Sequence, residues 1–180
     1  MEVIIVQAKD FCKYVTDGTH DSPKQQKEGY YLITSKHLMR DKLDFSNAKK
    51  ISYLDYEKVI KRSKVEQWDI LFSMIGTIGN VYIETNKNVK YACKNVGIFK
   101  MDGNEQNSKW LYYYLQSPNA KEYIHGSLRG TTQEYIPLDA LRKMPIPNFN
   151  ETTKKNIIKI LWKIDEKIKL NNEINNNLVA

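Results

Sequence analysis

The apolar positions of this chain change their period from one end to the other. From Asn150 to Leu178 they follow a helical rhythm, and Ile157, Leu161, Ile164, Ile168, Asn171, Asn175 and Leu178 step along it by alternating fours and threes. That spacing predicts one long helix with the seam of a coiled coil, in which Asn171 and Asn175 stand where apolar residues normally sit. At 1.5 Å per residue the helix would be about 40 Å long, longer than a domain of this size is wide. Its first apolar positions could pack on the chain's own domain. The length favours a partner helix.

The first half alternates in the manner of short strands with irregular connections. Tyr30 to Thr34, Ile51 to Tyr53, Asp69 to Ile75, Asn80 to Ile83 and Val96 to Met101 are rich in β-branched and aromatic residues. Gly76-Thr77-Ile78-Gly79 between two of these runs predicts a hairpin or tight corner. Asp55 is expected to cap a short helix running to Arg62, with Tyr56, Val59 and Ile60 on its inner face. Further on, Ser108 is expected to cap a helix carrying Trp110, Leu111, Tyr114 and Leu115. Ser117, Pro118 and Gly126 frame a second helix as cap, first position and terminator. Leu138 to Lys143 reads as one or two helical turns. Met144-Pro145-Ile146-Pro147 is expected to be extended, because proline restricts its predecessor. The natural division is a globular unit over residues 1–147 and a long helix over 148–180.

Composition narrows the partner. The 180 residues suffice for one sizeable core, and hydrophobic residues at 41% with charged residues at 27% are ordinary for a globular protein. The net charge of +7 favours an anionic partner without choosing among nucleic acid, membrane and acidic protein. Cys12 and Cys93, the only cysteines, are too few for a zinc site or a disulfide framework, and free thiols in a reducing cytosol are expected. The apolar run Val3 to Val6 is too short for a signal peptide, and no segment approaches a membrane span.

The search for catalytic patterns is mostly negative. There is no Walker-type phosphate loop and no dinucleotide fingerprint. Met144-Pro145-Ile146-Pro147 lacks the acidic or amide residue and the adjacent prolines of an amino-group methyltransferase motif. His20, His37 and His125 lack the spacing of a helical metal site. Asp165-Glu166-Lys167 resembles the end of a nuclease motif but lies on the long helix, where a solvated face is expected. Two polar clusters remain. Asp17-Gly18-Thr19-His20-Asp21-Ser22-Pro23-Lys24 offers donors to phosphates and base edges, and is also a plain surface turn. Arg129-Gly130-Thr131-Thr132-Gln133 pairs an arginine suited to guanine with a glutamine suited to adenine, and is equally compatible with a structural loop. Lys49, Lys50, Lys58, Lys61, Arg62 and Lys64, interleaved with Tyr53 and Tyr56, form either a solvated face or a lining for phosphates.

In order along the chain, these pieces resemble one half of the specificity subunit of a type I restriction–modification enzyme. The likeness rests on Asp17-Gly18-Thr19-His20 with Ser22-Pro23, and on Asp69-Ile70-Leu71-Phe72-Ser73 running into Gly76-Thr77-Ile78-Gly79. It continues through Gly130-Thr131-Thr132-Gln133, Ile136-Pro137-Leu138 with Leu141, Met144-Pro145-Ile146-Pro147, and Ile164-Asp165 before the Asn-rich end. Three departures stand out. Trp68 occupies the place where the family usually has glycine. Thr153 or Lys154 stands near the place of a glutamine that commonly opens the terminal helix. The family's usual subunit carries two recognition domains and two long helices, and this chain has room for one of each.

The resemblance implies an α+β fold: a single target-recognition domain with a twisted mixed sheet and short helices, followed by a long coiled-coil helix. It implies a non-catalytic reader of one half of a split double-stranded DNA sequence, with no cofactor of its own. S-adenosylmethionine would be used by a separate adenine methyltransferase subunit, and ATP by a restriction subunit. Two copies could pair their terminal helices antiparallel and so read an inverted repeat. Base contacts are expected from Thr19, His20, Ser22 and Lys24 in the first loop and from Arg129, Thr131, Thr132 and Gln133 in the second. Lys36, His37 and Arg40 are expected beside them, and Lys61, Arg62 and Lys64 on phosphates. The competing classes are a free-standing interaction or decoy protein that binds the methyltransferase subunit, a domain of a larger fused enzyme, and a small nuclease.

Overall fold

A computed structural model describes residues 3–39 and 42–179, the side chain of residue 179 excepted. In chain order the elements are β1 (Ile4–Gln7), α1 (Ala8–Phe11), β2 (Tyr14–Asp17), β3 (Tyr30–Ile33), β4 (Lys50–Ile51), α2 (Tyr53–Ser63), β5 (Ile70–Ser73), β6 (Val81–Ile83), β7 (Tyr91–Cys93), β8 (Val96–Lys100), α3 (Glu105–Leu115), α4 (Pro118–Ser127), α5 (Leu138–Lys143), β9 (Pro145–Asn148) and α6 (Glu151–Val179). A 3-10 turn, Ser35–His37, follows β3.

The strands form three small sheets rather than the one mixed sheet expected. β2, β8, β5 and β6 make an antiparallel sheet in that order, β4, β3 and β7 a mixed one, and β1 pairs with β9. The period of two along β5 and β8 explains the layering. Ile70, Phe72 and Phe99 face a core built with Leu111, Leu115, Leu141 and Met144 from the helices. Leu71, Val96 and Ile98 face the opposite way, onto Ile33, Tyr91 and Cys93 of the mixed sheet. The far side of that sheet, at Leu32, Ile51 and Ala92, is covered by Tyr56 and Val59 of α2. Both faces of β5 and β8 are therefore buried, which is why they read as unbroken apolar runs.

Two caps differ from expectation. Ser52, not Asp55, caps α2, and its Oγ accepts from Asp55 N at 3.1 Å. Asn104, not Ser108, caps α3, because Ser108 is buried with its hydroxyl 2.6 Å from the Trp68 carbonyl oxygen. Ser117 and Pro118 open α4 as expected, but Gly126 lies inside that helix. Trp68 sits at φ 72°, a backbone region that glycine enters without a steric cost. That conformation suits the glycine that the family resemblance leads one to expect here. Here the indole packs on the main core instead, with the Lys109 ammonium 5.3 Å from its centroid.

The root of α6 is fastened to the globular part. Lys154 is buried, its ammonium 2.7 Å from Asn107 Oδ1 and 2.5 Å from Glu151 Oε1. Ile158 is buried in the main core, the Trp162 ring lies 3.9 Å from the Lys109 ammonium, and Tyr113 donates to Asp165 at 2.7 Å. These positions share one helix face. The expected seam is therefore corrected at its start: Ile157 packs against the chain's own core and Leu161 is half-buried. Beyond them Ile164, Ile168 and Leu178 are exposed, joined by Ile160 and Ile174. Asn171 and Asn175 are exposed on the same outer part of the helix.

Candidate nucleic-acid interface

Strand direction brings one end of the antiparallel sheet into prominence. Asp17 pairs with Gly97 and Ser73 with Val96, so the ends of β2 and β5 and the start of β8 lie side by side. The loop of residues 18–29 leaves from here, and so does the turn between β5 and β6. The distant segment 128–136 is stitched to the same end. Ile136 N donates to Met74 O at 2.9 Å, Tyr135 bridges to Ile75, and Arg129 and Tyr135 exchange two backbone hydrogen bonds of 2.9 Å. The 3-10 turn joins them through Ser35 Oγ, which donates to Asn95 O at 3.2 Å. Both polar loops singled out in the sequence thus issue from the same sheet end.

The first loop is organised from within. Gly18 has no room for a side chain, since a Cβ would lie 2.3 Å from Cys93 O. Asp17, almost wholly buried, faces two cationic or donor groups. His20 Nε2 lies 2.9 Å from Asp17 Oδ2, and Arg62 Nη1 donates to Asp17 Oδ1 at 3.1 Å. Arg62 Nη2 also donates to Gly18 O at 2.8 Å. The His20 ring is 71% exposed, its other nitrogen 2.9 Å from Asn95 Oδ1. Lys94 acts as an internal staple, donating to His20 O, Asp21 O and Ser22 Oγ at 3.0, 2.8 and 2.6 Å. Thr19 is buried, and its Oγ1 accepts from Asp21 N at 3.0 Å, so it shapes the turn. Lys24 is exposed.

The second loop is a tight excursion closed by the Arg129–Tyr135 pair. Gly130 stands at φ 92°, with a would-be Cβ 2.4 Å from Gln133 O. Thr131, Thr132 and Gln133 project as the exposed tip, and Arg129 is exposed at its base. Gly76 and Gly79, at φ 74° and 94°, shape the neighbouring turn.

Other expected contacts scatter. Lys36 and Lys61 are exposed. His37 is corrected from reader to framework: it is 3% exposed, and its Nδ1 accepts from Thr34 N at 2.8 Å. Burial, the largest cause, lowers its pKa. Arg40 lies outside the described residues. Lys64 is at the other end of β8, where its carbonyl accepts from Lys100 Nζ at 2.8 Å and its ammonium pairs with Glu66 at 3.4 Å. Lys94 and Asn95 carry roles that composition and spacing did not single out, and Asp17, which opens the first polar cluster, organises that loop rather than reading bases. The one available signal was the Lys94-Asn95 dipeptide between two apolar runs, and Asn95 indeed turns the chain at φ 53°.

Among the described residues, no three His, Cys, Asp or Glu side chains gather as a metal site, and no helix is long and apolar enough to cross a membrane. Cys12 and Cys93 are buried, and burial pushes the Cys12 thiol up to about 12 and Cys93 up as well, so neither is a ready nucleophile.

Solved structures with this fold include the type I restriction–modification system S subunit from M. genitalium, at TM-score 0.63 and 18% identity, covering 94% of this chain and 40% of that one. The HsdS subunit from Thermoanaerobacter tengcongensis matches at TM-score 0.62 and 10% identity, with 93% and 43% covered. A structure concerned with complex assembly and conformational transition of the type I R-M system matches at TM-score 0.62 and 15% identity, with 93% and 39% covered. The chain thus spans about two-fifths of the length of these proteins. The pattern that defines the type I restriction modification DNA specificity domain extends over residues 2–180, and the chain belongs to that family.

Proposed function

We propose that this chain reads one half-site of a split duplex DNA sequence and performs no catalysis itself. The observation that carries the reading is the convergence of loops 18–24 and 129–133 at one sheet end. Exposed His20, Lys24, Arg129, Thr131, Thr132 and Gln133 supply donors and acceptors suited to base edges there, with Arg62 beside them and exposed Lys36 and Lys61 further out as candidates for phosphates. Thr19 and Ser22 support the loop rather than read bases. In this reading residues 1–147 recognise DNA and residues 148–180 recruit a partner. An adenine methyltransferase subunit and a restriction subunit would be directed to the site, bringing S-adenosylmethionine and ATP chemistry with them.

A second copy is the proposed companion of α6. Ile160 and Ile164 are 62% and 50% exposed, and the apolar stripe continues through Ile168, Ile174 and Leu178. An antiparallel pair seamed there would place two recognition units on an inverted repeat. Asn171 and Asn175 would help to set register. The same stripe supports a second reading, a decoy that engages the methyltransferase subunit without specific DNA binding.

Selection of bound duplexes from a random pool, with the methyltransferase subunit present, tests the first reading. An inverted repeat is the expected outcome, and recovery of an unenriched pool would refute it. Sedimentation tests the pairing, since a monomer at micromolar concentration with and without DNA would remove it.

A further inference from the structure

A second polar surface lies beside the first loop. Gln25, Gln26, Lys27, Tyr31, Phe45 and Lys50 line an open cleft of about 480 Å³ between the later part of loop 18–29 and the small mixed sheet. Its floor is aromatic and braced, with Phe45 packed edge-on against Tyr31 at 5.1 Å between ring centroids. Its wall is pinned by Gln26 N, which donates to Lys50 O at 2.9 Å, and by Lys49 Nζ, which donates to Pro23 O at 2.9 Å. Its lining carries two ammonium groups and no carboxylate. The adjacent Asp44 already accepts from Ser46 N at 2.9 Å. Lys27 and Lys50 have no ion pair among the described residues. The Lys50 ammonium lies over the Tyr31 ring, 5.4 Å from its centroid.

We propose that this cleft binds the phosphate backbone of duplex DNA flanking the half-site, through Lys27 and Lys50 with the Gln25 and Gln26 amides as neutral donors. The assignment rests on the DNA-reading function proposed above. Charge complementarity selects an anion. Shape selects a polymer over a free nucleotide, because a small ligand needs most of its surface enclosed and this cleft is open to solvent. Continuity selects the same duplex. Ser22 and Gln25 are three residues apart, at most about 10 Å of extended chain. That distance spans roughly three base pairs of rise at about 3.4 Å each. A duplex seated on the sheet end and running toward the later part of loop 18–29 would lay its backbone over the cleft.

The test is a salt titration of duplex binding by the full chain and by the double variant Lys27→Gln, Lys50→Gln, followed by fluorescence anisotropy. Each lost phosphate contact reduces the slope of log K against log salt by about 0.9, so a reduction of roughly 1–2 is expected, with the selected base preference unchanged. Charge reversal to Glu at both positions should weaken binding further, and unchanged melting temperatures would show that the fold is intact. Millimolar inorganic phosphate or ATP should not compete at constant ionic strength. Wild-type slope and affinity in both variants would overturn the cleft assignment. So would saturable ATP binding that the variants abolish. If Arg129→Ala and Gln133→Ala alter base preference while the lysine variants change nothing, the cleft assignment alone fails. If the wild-type chain binds no duplex at low salt, both it and the proposed function fail.

Discussion

The two ends of β8 use similar charged residues in opposite ways. At one end Lys100 is 3% exposed, in contact with the Asp69 carboxylate and 2.8 Å from Glu66 Oε2. Asp69 also accepts from Met101 N at 3.0 Å and Glu66 N at 2.7 Å, so the cluster is closed. Burial by itself would lower the Lys100 pKa, but the hydrogen bonds to Asp69 and Glu66 outweigh it and the net direction is up. At the other end Asp17 is equally buried, yet the groups it holds, His20 and Arg62, remain largely in solvent. The first cluster spends its polarity on the fold. The second orients donors and leaves them free to meet something else. Residue type does not distinguish the two; the exposure of the cation does.

The largest expected effect comes from opening the closed cluster. Lys100→Ala leaves Asp69 buried without its cation and should cost about 3–5 kcal/mol. Chemical denaturation would measure it, and a loss below about 1 kcal/mol would mean that water or rearrangement replaces the ammonium. Gly18→Ala attacks the frame of the open end. Its Cβ would meet Cys93 O, and the forced backbone shift should cost about 1–3 kcal/mol while also weakening DNA binding. Arg129→Ala should sharpen the contrast. Stability should stay within about 0.5 kcal/mol, because the side chain is exposed. Affinity for a selected duplex should fall by about 1–3 kcal/mol, with relaxed preference at one position. Equal affinity for all sequences before and after would deny Arg129 a reading role.

The smallest effect concerns pH. The folded pKa of His37 lies below its usual 6.5, chiefly because of burial. The unfolded chain therefore takes up the proton first, and stability contributed by the neutral ring is present above about pH 6.5 and is lost as pH falls below it. Protonation would also set a proton on Nδ1 against the Thr34 N–H that it now accepts. His37→Asn can keep that acceptor and should flatten the stability profile below about pH 6.5. An identical profile in the variant would assign the acid sensitivity elsewhere.

Much of the fold was legible along the chain because its signals are local. The Ser117-Pro118 start, the Gly76–Gly79 turn, the span of α5 and the long α6 follow from capping, left-handed backbone and periodicity within a few residues. The caps of α2 and α3 were misplaced by three or four residues because Ser52 and Asn104 compete with Asp55 and Ser108 for the same role. His37 is buried although a histidine between Lys36 and Arg40 reads as exposed until its spatial neighbours are known. Ile157 and Leu161 fit a partner's seam and the chain's own core equally well, since a helix stripe does not name what covers it.

The sequence by itself determined that this chain makes short strands, capped helices and one long amphipathic tail, because those depend on contacts within a few residues. Tertiary structure decided that Asp17, Ser73, Asn95 and Arg129 come to one end, that Lys64 lies at the other, that His37 is buried beneath its turn, and that the first turns of α6 belong to the chain's own body. Pairing of strands separated by tens of residues sets those outcomes, and such pairing reflects which faces can be buried together rather than any local preference.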